Sequence, residues 1–85
     1  MANKTTNINR EEFKKWLIAK HGLSREVAKD NASRAKRVAR WVSFDLKKTE
    51  AGVVDLMKER SGGVLNSVIY SQLKRAVRLY REFTK

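Results

Sequence analysis

Residues 65–83 read Leu65-Asn66-Ser67-Val68-Ile69-Tyr70-Ser71-Gln72-Leu73-Lys74-Arg75-Ala76-Val77-Arg78-Leu79-Tyr80-Arg81-Glu82-Phe83. Leu65, Ile69, Leu73, Ala76, Val77, Tyr80 and Phe83 recur every three or four residues, the spacing of one face of an α-helix. Away from that stripe, Lys74, Arg78, Arg81 and Lys85 recur at intervals of four, three and four, with Arg75 beside them. One segment thus carries an apolar face and a basic face. A helix of this kind buries its apolar face against other helices, and the rest of the chain supplies them.

Before this helix, Ser61-Gly62-Gly63 is the clearest break in the chain. A shorter helix precedes it, from about Thr49 to Arg60, with Val53, Val54, Leu56 and Met57 apolar and Thr49 as its cap. Gly52 in its first turn weakens that helix. Further back, Val27, Asn31, Ala35, Val38, Val42 and Leu46 follow a 3.6-residue period, flanked by Trp41. This helix opens at Ser24 and the pattern carries it to about Lys47. Ala28, Ala32, Ala35 and Ala39 favour helix and permit close packing. The first helix is capped by Asn9, with Glu12 three residues on as a capping box requires. Phe13, Trp16, Leu17 and the stem of Lys20 line one face. It stops at Lys20-His21-Gly22, cations followed by a residue able to adopt the left-handed conformation.

There is no Pro, there are four Gly, and no segment alternates as a strand does. The expected fold is therefore all-α: a compact four-helix bundle with helices at about 10–21, 24–47, 50–60 and 65–83. Residues 1–8 read as a flexible polar leader and 9–85 as a single helical domain. The core should draw on Phe13, Trp16, Leu17, Val38, Val42, Leu73, Val77 and Tyr80.

The charge narrows the function. Twenty Lys and Arg stand against nine Asp and Glu in 85 residues, a formal net charge of +11. A surface so charged repels itself, and a polyanion relieves the repulsion. With 41% apolar residues the chain can still bury a core, unlike a disordered basic tail. The second helix adds its own row, Lys29, Ser33, Lys36 and Arg40, with Arg34 and Arg37 next to it. Only Asp30 and Glu82 dilute the two rows. For any single row an ordinary solvated face is the commoner explanation; two rows in so basic a chain favour binding. Arg and Lys on a helix can enter the major groove and contact phosphates. Ser33, Asn66, Ser67, Ser71 and Gln72 suit phosphate or base-edge hydrogen bonds. Lys14, Lys15, Lys47, Lys48 and Lys58 read as solubilising.

Other chemistries find little support. The chain has no Cys and His21 is its single histidine, so a metal site of the usual kind is not expected; His21 reads as a cation at a helix end. No carboxylate pair stands out in an apolar setting. Ser61-Gly62-Gly63 lacks the Lys-Ser/Thr that would make it a phosphate loop. Trp16 and Trp41 lie on or beside apolar stripes, where packing is the commoner role than base stacking. Tyr70 is the less buried tyrosine by pattern, and no Arg and His constellation surrounds it to make it a nucleophile. No segment reaches the roughly 20 apolar residues of a membrane span, and the leader is not a signal peptide.

The order of these features resembles the N-terminal core-binding domain of tyrosine recombinases of the phage-integrase type, which has a SAM-like four-helix fold. The likeness rests on Phe13 to Leu17 followed by Gly22-Leu23-Ser24, on Thr49 through Met57, and on Ser71 to Phe83. The family's pattern after Gly-Leu-Ser is Thr, Tyr, Leu and Phe at helical spacing. Here those positions hold Val27, Asn31, Ala35 and Val38, so the spacing agrees while the first three identities depart. The resemblance covers about residues 10–83. It implies that the second and fourth helices face the duplex and that the catalytic Arg, His and Tyr set lies outside this chain.

The resulting expectation is a DNA-binding module with no cofactor and no catalysis of its own, working inside the cell at the nucleoid. Its contacts would be Lys36, Arg37, Arg40, Lys74, Arg75 and Arg78, with Lys29, Arg34 and Arg81 outside them. Duplex DNA is the expected partner, a separate recombinase catalytic domain a second, and a membrane none. A protein-interaction or inhibitor module docking on an acidic protein is the alternative, and RNA stays open because the phosphate argument does not separate it from DNA.

Overall fold

The computed structural model describes residues 9–44, 48–63 and 65–84. They form four helices in chain order: α1 Arg10–His21, α2 Arg25–Ala39, α3 Glu50–Ser61 and α4 Ser67–Phe83. The expected all-α four-helix architecture is the observed one, with no strand among the described residues. The leader at 1–8, the expected end of the second helix at Leu46 and Lys47, and Lys85 lie outside the described residues.

Each helix starts where a short polar side chain satisfies a free backbone N–H. Asn9 Oδ1 accepts from Glu12 at 3.1 Å, Ser24 Oγ from Val27 at 3.2 Å, Thr49 Oγ1 from Gly52 at 3.0 Å and Asn66 Oδ1 from Ile69 at 2.8 Å. Such a cap contributes about 1 kcal/mol. At the end of α1, Gly22 takes φ +64° and its N–H bonds Ile18 O at 3.1 Å. Gly52 is explained by its cap: a Cβ there would press on Thr49 Oγ1 and Lys48 Cβ, both at 3.3 Å.

α2 packs against both α1 and α4, and α3 packs chiefly against α4. The buried face of α2 is built of Ala28, Ala32, Ala35 and Ala39 with Val38, so its neighbours can approach closely. An aromatic group joins α1 to α4. Phe13 meets Tyr80 edge-on at 5.0 Å and Phe83 at 5.4 Å, and Trp16 meets Phe83 at 5.4 Å. Phe44 meets Tyr80 at 5.5 Å, which draws in the segment after α2. α3 is held to α4 by the Tyr70 hydroxyl, which donates to Asp55 Oδ1 at 2.7 Å.

Seven of the expected core residues are buried: Phe13, Leu17, Val38, Val42, Leu73, Val77 and Tyr80. Trp16 is half-buried against them. Asn31 lies on the buried face as its spacing requires and is 2% exposed. Its Nδ2 donates to Val27 O at 3.0 Å, while Oδ1 has no partner among the described residues.

Four expectations need correction. α2 stops at Ala39, not near Lys47. The bond from Trp41 N–H to Val38 O at 3.0 Å, three residues back, tightens the last turn, and Val38 O also accepts from Val42 N–H at 3.1 Å. The chain then leaves the helix axis and buries both Val42 and Phe44. α4 begins at Ser67, because Asn66 caps it, and Leu65 packs on the core from outside the helix. Val27 is 40% exposed, since it stands in the first turn at the edge of the buried face, about 100° round the helix from Ala28. Trp41 is not a packing residue but is 39% exposed.

Candidate nucleic-acid interface

The α2 row begins next to α1, at Lys29 and Ser33. Lys29, Ser33, Lys36 and Arg40 share one flank of the helix by spacing, and all four are exposed, as is Arg37. Arg34 differs: it lies about 140° round the helix from Lys29 and is half-buried, so it does not belong to the row. Lys29 and Ser33 line a groove with Ala32 and with Arg10, Glu11 and Lys14 of α1. Sequence reasoning missed Arg10 and assigned Lys14 to the solvent. Their spacing of four residues on α1, joined to α2 by a short turn, is the signal that could have found them. Lys14 is paired with Glu11 at 3.3 Å.

The α4 cations open onto a different groove. Lys74, Arg75 and Arg78 line it with Ser71 and with Thr49, Glu50 and Ala51 at the start of α3. The N-terminus of α3 adds its positive dipole end here. Arg75 and Arg78 are exposed. Lys74 is half-buried, with its ammonium 5.3 Å from the centre of the Tyr70 ring, a cation–π contact. Arg81, also half-buried, pairs with Glu50 at 3.7 Å. Glu50 therefore dilutes the α4 row, which the sequence placed beside Glu82 alone. Glu82 instead faces His21, whose Nε2 lies 3.3 Å from its carboxylate. Of the polar residues singled out beside the rows, Ser33 and Ser71 lie in the grooves. Asn66 is occupied as the cap of α4, Ser67 is exposed in the first turn and Gln72 is half-buried.

Pairing separates the candidates further. Arg81 is in an ion pair. Lys29, Arg34, Lys36, Arg37, Arg40, Lys74, Arg75 and Arg78 make none with another described residue. Cations without carboxylate partners keep their full attraction for an external anion.

The titration of the two tyrosines reflects structure. Tyr70 is raised above the ordinary phenol value by its bond to Asp55, then by burial and by the Asp55 charge. Tyr80 is raised by burial. Among the described residues no three His, Asp or Glu side chains gather as a metal site would need. No described helix is long and apolar enough to cross a membrane.

No protein-family model, curated protein or solved structure matches the chain.

Proposed function

We propose that this protein binds duplex DNA through the basic rows of α2 and α4 and contributes binding, not chemistry. The observation that carries the reading is the set of exposed cations on α2 and α4 that pair with no carboxylate among the described residues. Lys36, Arg37, Arg40, Lys74, Arg75 and Arg78 are the principal contacts. Lys29 extends the α2 row toward Arg10, whereas Arg34 and Arg81 stand at the margin because one is half-buried off the row and the other is paired. Because the groove at Lys29 and the groove at Lys74, Arg75 and Arg78 are different ones, the two rows engage separate stretches of backbone, and most of the affinity is electrostatic. The resemblance to the core-binding domain of tyrosine recombinases supports the same assignment. On that reading a recombinase catalytic domain is a natural partner and the cell interior the place of action.

Fluorescence anisotropy with a random-sequence duplex across a salt series tests it. Affinity should fall steeply with salt, with a slope of about 0.9 for each phosphate neutralised. Lys74→Ala with Arg78→Ala should weaken binding to every duplex alike and flatten the slope by about two units. Unchanged affinity in that double variant would remove α4 from the interface. Absence of binding at low salt would end the DNA reading and leave an acidic protein as the partner to seek.

A further inference from the structure

Trp41 is an aromatic residue whose ring takes no part in the ring contacts that join the described helices. The rings of Phe13, Trp16, Phe44, Tyr80 and Phe83 contact one another, and Lys74 lies over Tyr70. The Trp41 indole is 39% exposed and meets no other ring or cation among the described residues. Its backbone, by contrast, is fixed on both sides. The N–H bonds Val38 O at 3.0 Å, and the carbonyl accepts from Arg60 Nη1 at 2.8 Å. The ring is thus presented from a rigid point in the turn that ends α2.

Three arginines lie close to that point along the chain or through a bond, without a guanidinium over the ring among the described residues. Arg60 is held there by its bond to the Trp41 carbonyl. Arg40 is the preceding residue, and Arg37 lies four residues back, one turn along α2. All three are exposed and none is in an ion pair with a described residue. A part-exposed flat ring with unpaired arginines beside it suits a ligand that combines a negative backbone with flat aromatic units. In a paired duplex the base faces are covered by their neighbours, so only an unpaired base offers a face to stack on. We propose that Trp41, with Arg37, Arg40 and Arg60, is a stacking platform for an unpaired nucleobase, at a single-stranded tail or an opened end of the bound DNA. This rests on the reading that the chain binds nucleic acid and adds to it a preference for junctions between duplex and single strand.

The test compares a blunt duplex with the same duplex bearing a single-stranded thymine tail, both bound to the full chain. The tailed probe should bind more tightly. Trp41→Ala should lower affinity for the tailed probe by about fivefold or more and leave the blunt probe unchanged. Trp41→Phe, which keeps a flat ring, should retain most of the preference. In a Trp16→Phe background Trp41 is the sole tryptophan, and the tailed probe should quench its emission where the blunt probe does not. Equal losses on both probes, no loss on either, or an effect of Trp41→Ala confined to self-association or to capture of an acidic peptide overturns the platform. Failure of the duplex reading looks different, because the blunt probe itself then does not bind. A tailed probe that still binds through Trp41 in that case upholds the platform alone.

Discussion

At the scale of the residue, Asn31 and Tyr70 show how polar groups are managed in so small a core. The Asn31 amide is 2% exposed and satisfies its donor side within its own helix, while Oδ1 is without a partner among the described residues. A buried acceptor left unmade costs about 1–3 kcal/mol. Leucine has a similar shape and no polar atom, so Asn31→Leu should raise stability by about 1 kcal/mol, read as a higher thermal midpoint. A lower midpoint would mean that Oδ1 has a partner, such as a buried water. Tyr70 is the opposite case, a hydroxyl that joins two helices through Asp55. Tyr70→Phe should cost about 1 kcal/mol at neutral pH. The fold favours the neutral phenol, whose pKa is raised. The stabilisation is therefore complete below about pH 10 and is lost as pH rises through the raised value. Alkaline melts should show that loss in the parent and a smaller one in Tyr70→Phe, where burial of Tyr80 still contributes.

At the scale of the element, the end of α2 is the informative place. The apolar residues Val38, Val42 and Leu46 are spaced as if the helix ran on, yet it stops at Ala39. What stops it is the chance to bury Val42 and Phe44 against the rest of the core, with Phe44 edge-on to Tyr80. Helix would carry Phe44 round to a face not turned to Tyr80. The freed carbonyl of Trp41 is then taken up by Arg60 from α3. Arg60→Ala should cost about 1 kcal/mol, discounted for its exposure. It should also speed amide exchange in residues 40–44 more than in α1. Uniform exchange across the chain would show that the bond does not hold this turn. At α1 the local signal suffices: Gly22→Ala should cost about 1 kcal/mol, because its φ of +64° lies in the left-handed region.

At the scale of the whole molecule, charge governs behaviour. A net charge of +11 on 85 residues works against the compact state. Added salt screens that repulsion within a Debye length of about 10 Å at 0.1 M. The thermal midpoint of the free protein should therefore rise with moderate salt, while affinity for a duplex falls over the same range. A duplex present at saturating concentration should raise the midpoint further at low salt. If salt lowers the midpoint of the free protein, repulsion between its cations is not the dominant electrostatic term.

The amino-acid sequence by itself determined what rests on neighbours within one turn. The period of the apolar residues set four helices and most of the core, and Asn9, Ser24, Thr49 and Gly22 marked boundaries because caps act over two or three residues. Two cationic rows were legible for the same reason, as spacing on a helix. Tertiary structure decided the rest. It turned Trp41 to the surface and Phe44 inward. It put Arg10 and Lys14 beside Lys29, Glu50 beside Arg81, and Lys29 in a different groove from Lys74, Arg75 and Arg78. Those outcomes depend on which helix packs against which flank, and packing joins residues far apart in the chain, where no local period can report it.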